Sequence, residues 1–72
     1  MTQAQFNLGM AFFKGEGVRR NQTHGIEILH VASMLGDTHA EDALRQMVAA
    51  GDERAEVALT ASIKGREQHE DL

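Results

Sequence analysis

The stretch Ala4–Val18, AQFNLGMAFFKGEGV, decides the fold of this chain. Its apolar residues recur at helical spacing, and it ends in the turn Gly-Glu-Gly-Val. Its opening, Ala4-x-x-x-Leu8, is repeated thirty-six residues later as Ala40-x-x-x-Leu44. A period of this length is typical of two-helix repeats that stack side by side. The stretch therefore predicts an array of helical hairpins that holds a partner.

Two apolar stripes run along the first predicted helix. One stripe is Ala4, Leu8, Ala11 and Phe12, and the other is Phe6, Met10 and Phe13. A helix that is apolar over so much of its circumference requires partners on two sides. We expect the first stripe to pack within a hairpin and the second to remain for another contact. Gly9, between the stripes, suits the close approach of a second helix.

Capping signals and glycines divide the whole chain into about four helices. N-caps are predicted at Thr2 (a capping box with Gln5), at Asn21 or Thr23, at Thr38 (a capping box with Glu41) and at Asp52, and helix ends are predicted at Gly15, Gly36, Gly51 and Gly65. Val18 is expected to enter the core after the first turn. No strand pattern competes with these helices, so the fold class is predicted as all-α. Residues 1–65 form one domain, and the polar residues 66–72 are expected to fray.

Composition and charge exclude several functional classes. The 72 residues carry a net charge of −4, which gives no electrostatic footprint for nucleic acid. A helix-turn-helix interpretation fails because the reading helix would present Asp37, Glu41 and Asp42 to phosphates. No apolar run is long enough to cross a membrane, and we expect no leader, because the N-terminal residues lack the apolar stretch of one. We therefore expect a cytoplasmic protein that binds neither nucleic acid nor membrane.

The residues that could carry chemistry form no recognisable site. His24, Glu27 and His30 follow each other at i, i+3 and i+6, which separates the two imidazoles by about 120° around a helix. A zinc pair instead requires histidines at i and i+4. The chain has no cysteine, and Ser33 and Ser62 occupy small-residue positions of helices without a base at fixed spacing. The sequence predicts no enzyme, no metal site and no cofactor.

The pattern from Ala4 onward resembles the Sel1-like repeat, a relative of the tetratricopeptide repeat. After the glycine turn, the family pattern continues with a polar cap, a Lys-Ala pair, an aromatic residue, an Ala-Ala pair and a glycine. The corresponding residues here are Asn21, His24-Gly25, Ile28, Ala32-Ser33 and Gly36. The first repeat covers about 4–39. The second, about 40–65, lacks the Gly-x-Gly-Val turn, and we interpret it as a capping repeat, although its last helix can also be read as opening another repeat.

The resemblance implies an adaptor whose first helices line a groove for a protein or peptide segment. Carried over position by position, and with Asn7 added one helical step away, the predicted partner-binding residues are Gln3, Phe6, Asn7, Met10, Phe13, Lys14, His39, Asp42 and Gln46. Three other interpretations of the second apolar stripe stay open. It could be the contact surface of a homodimer, a face left uncovered by a missing upstream repeat, or an ordinary part of the core.

Overall fold

The structure, a computed structural model, describes residues 2–68 of the chain and the side chains of residues 2–65. The described residues form four α-helices and no strand: α1 (Thr2–Lys14), α2 (Gln22–Met34), α3 (Thr38–Ala49) and α4 (Glu53–Gln68). The prediction of an all-α chain with about four helices is confirmed. Among these residues, no helix is both long and apolar enough to cross a membrane.

The C-terminal end of α4 differs from the prediction. Gly65 does not end the helix, which continues to Gln68. Gly65 is absent from the glycines that adopt a positive φ, and its Cα faces the methyl end of Met34 on α2. Gly65 is thus an interior residue of α4 that lies beside the end of a flexible side chain. Of the tail expected to fray, residues 66–68 continue α4, and residues 69–72 lie outside the described part of the chain.

Side-chain caps fix where α2 and α4 begin. The Asn21 side chain accepts a hydrogen bond from the His24 backbone N–H at 3.1 Å, so Asn21 and not Thr23 is the N-cap of α2. The Asp52 carboxylate accepts from the backbone N–H groups of Arg54 and Ala55 at 3.0 and 3.4 Å. The prediction of Asp52 as the cap of α4 is confirmed.

The starts of α1 and α3 differ from the predicted capping boxes. Asp37, one residue before Thr38, caps α3 by accepting from the backbone N–H of His39 at 2.9 Å. A carboxylate at this position reaches the free N–H groups and carries a charge that suits the helix N-terminus. At the start of α1, the side-chain oxygen of Gln5 is buried without a hydrogen-bond partner. The N-cap of α3 is therefore Asp37 and not Thr38, and the Thr2–Gln5 capping box was wrong.

The turn after α1 relies on glycine but sends no side chain into the core. Gly15 and Gly17 have φ values of +80° and +76°, a region that favours glycine. The backbone N–H of Asn21 donates to the Phe12 carbonyl at 2.8 Å and closes the loop onto α1. Val18 is 37% exposed, and its neighbours Gly17 and Arg19 are exposed as well. The prediction that Val18 enters the core was therefore wrong.

The core is built around α2 and α3, and the second stripe on α1, expected to be left over, packs against it. The buried apolar residues are Ile26, Leu29, Ala32, Ala40, Ala43, Leu44, Met47 and Ala55. Phe6, Met10 and Phe13 pack against them and are partly buried. Leu8 of the other stripe is 46% exposed. Of the stripe expected to pack within the hairpin, Ala4 and Leu8 thus face outward whereas Ala11 and Phe12 are partly buried, and the stripe expected to be left over covers the core.

Contacts along α2 fix how the helices run relative to one another. Phe12, near the end of α1, packs its ring edge-on against His24, near the start of α2, with the centroids 4.6 Å apart. The start of α4 bonds to the start of α2 through Arg54 and Gln22 at 2.9 Å. Further along the same two helices, Ser62 lies 2.7 Å from the His30 ring. Hence α2 and α4 run in the same direction, and α2 contacts each of the other three helices.

Candidate functional site

An open cleft of about 710 Å³ lies between α1, α3 and the first turn of α4. We call it the main cleft. Its floor is apolar, and the floor residues are Met10, Phe13, Ala43, Met47 and Ala50. Met10 and Phe13 lie on one side of α1, and the other three recur at helical spacing along α3 and its C-cap. Ala43 and Met47 are buried, so the floor is an extension of the core surface.

The rim of the main cleft carries charges of both signs. Lys14 lies at the end of α1, 4.0 Å from Glu16, and both side chains are well exposed. Such an exposed pair contributes little to stability. Gln46 lies on the same rim from α3, and Asp52 and Glu53 come from the turn into α4. The cleft therefore offers an apolar surface bordered by groups that can bond to a polypeptide backbone.

Arg54 is the most firmly held side chain of the rim. Its guanidinium donates twice to the Asp52 carboxylate, at 3.2 and 3.1 Å, and further to Thr23 Oγ1 at 3.2 Å and Gln22 Oε1 at 2.9 Å. A planar guanidinium with several donors suits this arrangement. Arg54 thereby ties the start of α4 to the start of α2.

The charge on Asp52 is stabilised by the same contacts. The hydrogen bond from the Arg54 side chain holds the pKa of the Asp52 carboxyl below its ordinary value of 3.8. The backbone N–H groups of Ala55 and Arg54 lower it further, and desolvation opposes them. Asp52 is thus an anion at neutral pH and balances Arg54, so this part of the rim presents little net charge to a partner.

The structure brings four of the nine predicted partner-binding residues to the main cleft. These are Met10, Phe13, Lys14 and Gln46. Phe6 and His39 lie together elsewhere along α1 and α3, with their ring centroids 5.9 Å apart. Gln3, Asn7 and Asp42 are exposed and do not line the cleft.

Sequence reasoning missed the part of the rim that comes from α4. Asp52, Glu53 and Arg54 reach the cleft because only residues 50–52 separate α3 from α4, which places the first turn of α4 beside the end of α3. The missing Gly-x-Gly-Val turn in the second repeat was a signal for this, because a shorter connection brings the two helix ends together.

The histidines considered as metal ligands contact separate neighbours. His24 packs against Phe12 and lies 3.8 Å from Glu27, whereas His30 bonds to Ser62. Within residues 2–68, no three His, Cys, Asp or Glu residues come together as a metal-binding group would require.

Comparison of the chain with models of protein families, with curated proteins and with solved structures finds no match in any of the three. The resemblance to the Sel1-like repeat therefore stays a prediction carried by the sequence pattern.

Proposed function

We propose that this protein is a non-enzymatic interaction module of the Sel1-like type, which holds a segment of a protein partner in the main cleft. The observation that carries the proposal is the continuous apolar floor, formed by Met10, Phe13 and Met47 with two alanines, between rims that can bond to a peptide backbone. Phenylalanine and methionine together make an adaptable surface for apolar side chains of varied shape.

The helix contacts support the repeat arrangement behind this proposal. The α2 and α4 helices run in the same direction, as the second helices of successive repeats do in a stacked array. The Phe6–His39 ring contact brings α1 and α3 together, as first helices of successive repeats would lie. In such an array, the surface between first helices is the one that receives a segment, and the main cleft lies there.

The balanced rim indicates what kind of segment binds. Lys14 and Arg54 on the rim are matched by Asp52 and Glu53, so neither sign of charge dominates among the residues that line the cleft. We therefore expect a segment held by apolar side chains rather than by net charge. Its affinity is expected to change little between about 0.05 and 0.5 M salt, because ionic screening acts mainly on unpaired surface charges.

The test uses Ala50→Arg, with Ala49→Arg as its matched control. Both alanines are exposed at the end of α3, but only Ala50 lines the main cleft. Peptides selected from a random displayed library on the wild-type protein are expected to lose about tenfold or more in affinity for Ala50→Arg and to bind Ala49→Arg normally. Unchanged binding to Ala50→Arg, with the fold intact by circular dichroism, would contradict the proposal.

A second candidate function, self-association, is favoured by the outward face of the α1–α2 pair. Leu8, Val31 and Leu35 are 46%, 47% and 63% exposed there. The Phe12–His24 contact sets the pairing of the two helices, so that Leu8 and Ile28, each four residues away, lie side by side. We call this face the α1–α2 edge. In a twofold contact, residues near the axis meet their own copies, and apolar side chains can do so without the repulsion that like charges would cause.

Leu35→Lys separates this candidate from the first. Leu35 is the C-cap of α2 and is exposed, so the substitution leaves the core intact. If the α1–α2 edge pairs two copies, sedimentation should show a wild-type dimer at high concentration and a monomer for Leu35→Lys. Val57→Lys, at a 71% exposed position of α4, serves as the control and should leave the dimer unchanged. A wild type that stays monomeric throughout contradicts self-association.

A further inference from the structure

A second groove, of about 420 Å³, runs along the surface where α2 and α4 meet. It is distinct from the main cleft. We call it the α2–α4 groove. Its walls are mostly apolar and include Ile26, Val57, Ala58 and Ala61. His30 lines it from α2 and is only partly buried. The hydrogen bonds that this imidazole makes decide which group it offers to a ligand.

Hydrogen bonds around His30 fix its tautomer. Nδ1 lies 3.1 Å from the Ala58 carbonyl oxygen, which only accepts, so Nδ1 carries the proton. The Ser33 hydroxyl donates its single proton to the His30 carbonyl at 2.8 Å. The remaining Ser33–Ser62 contact, at 2.7 Å, then needs the proton of Ser62. Consequently Ser62 accepts from His30 Nδ1 at 2.7 Å, and the single Nδ1 proton is shared between Ser62 Oγ and the Ala58 carbonyl oxygen.

The other ring nitrogen is left as a hydrogen-bond acceptor. With the proton on Nδ1, Nε2 of the neutral imidazole holds a lone pair. No hydrogen bond joins Nε2 to a described residue, yet within the described chain the one buried side-chain polar atom without a partner belongs to Gln5. Nε2 of His30 is therefore accessible to solvent. Since His30 lines the α2–α4 groove, this acceptor lies beside largely apolar walls. Thr23 and Glu27 also line the groove, but Thr23 Oγ1 already accepts from Arg54 and a Glu27 carboxylate oxygen lies 3.8 Å from His24.

We propose that the α2–α4 groove binds a tyrosine side chain of a protein partner, whose phenol O–H donates to His30 Nε2. A phenol combines an apolar ring with one strong donor, which matches the apolar walls and the unbonded acceptor of His30. Arg54 also lines the groove, and the carbon chain of its side chain can add to the apolar contact with the ring. The groove is separate from the main cleft, so the tyrosine site does not depend on the function proposed for the cleft.

The first experiment compares N-acetyl-tyrosinamide with N-acetyl-phenylalaninamide, which differ only by the hydroxyl group. Titration followed by NMR is expected to show about five- to tenfold tighter binding of the tyrosine probe, the effect of one hydrogen bond. The His30 Nε2 resonance should shift with the tyrosine probe only. Long-range ¹H–¹⁵N spectra of the free protein should show the proton on Nδ1. Equal affinities, or a proton on Nε2, would overturn the proposal.

Two variants test the acceptor and the location separately. His30→Asn keeps a donor where Nδ1 lies and removes Nε2, so the preference for tyrosine over phenylalanine should vanish. Ala61→Phe fills the groove from an exposed position and should weaken both probes, whereas the neighbouring exposed Thr60→Phe should not. Tyrosine binding that survives Ala61→Phe would overturn the location. Ala50→Arg in the main cleft should leave probe binding unchanged, which distinguishes a failure of this site from a failure of the cleft.

Discussion

The α2 helix packs against α1 and against α4 in opposite ways. Toward α1 it presents Gly25, whose backbone lies so close that an added Cβ would stand 2.6 Å from the Gly9 carbonyl oxygen and 2.8 Å from the Phe13 nitrogen. Toward α4 it presents His30 and Ser33, which bond to the buried Ser62. The first interface depends on the absence of a side chain and the second on directional bonds between side chains. We therefore expect the first to be far less tolerant of substitution.

Gly25→Ala is expected to have the largest effect. The atoms that its methyl group would meet belong to the backbone of α1, which cannot move without separating the two helices. The cost is expected to be about 3 kcal/mol, partly offset by the better helix propensity of alanine. In a protein of this size, the melting temperature should fall by about 10 °C or more. Thermal and urea denaturation measure the change.

The controls for this prediction are Gly9→Ala and Gly65→Ala. A Cβ at Gly9 would lie 3.0 Å from the Leu29 side chain and 3.1 Å from the Gly25 carbonyl oxygen, an intermediate case. A Cβ at Gly65 would meet only Met34, at the end of a flexible side chain. Gly65→Ala should therefore be neutral or stabilise by up to about 1 kcal/mol. If Gly25→Ala proves no worse than Gly65→Ala, the contrast between the two interfaces is wrong.

Ser62→Ala tests the polar interface and is expected to cost about 1 kcal/mol. The loss is moderate because Nδ1 of His30 keeps the Ala58 carbonyl and Ser33 keeps the His30 carbonyl. Thr60→Ala, on the exposed side of α4, should cost much less. Urea denaturation of both variants measures the difference. A loss for Ser62→Ala as large as that for Gly25→Ala would remove the distinction drawn above.

Asp52→Asn concerns the exposed end of the α2–α4 interface and should have the smallest effect. Asparagine still caps α4 but loses the charge that faces Arg54. Because folding lowers the pKa of Asp52, its charge contributes stability above the ordinary pKa of 3.8, and this contribution is lost as the pH falls through the lowered value. The wild type should exceed Asp52→Asn in stability at pH 7 and match it near pH 2. A difference that does not depend on pH would contradict this assignment.

The helices were predictable from the sequence, whereas the inward face of α1 was assigned wrongly. Helical spacing identifies two stripes but does not say which one meets α2. Gly9 carried the missing information, because Phe6 and Phe13 lie three residues before and four residues after it, on the same face. Since Gly9 contacts Gly25, that face turns toward α2 and the core, and Leu8 is left outside.

The candidate site was predictable only in part. Met10, Phe13, Lys14 and Gln46 line the main cleft because their spacing along α1 and α3 reflects the regular helix. The first residues of α4 line the cleft because the short turn after α3 folds back beside it. The spacing of residues along the sequence does not determine the direction of that turn. Likewise, Ser62 was interpreted as a small residue for close packing, and its bond to His30 joins residues 32 positions apart.

The chain has three phenylalanines and neither tryptophan nor tyrosine, and all the phenylalanines lie on α1. The near-ultraviolet circular dichroism of the protein thus arises from one helix, whereas the amide bands report on every helix. Heating the protein while recording both follows the detachment of α1 separately from the melting of the remaining helices. Coincident curves would identify the helices as one cooperative unit, and an earlier near-ultraviolet transition would identify α1 as a separable segment.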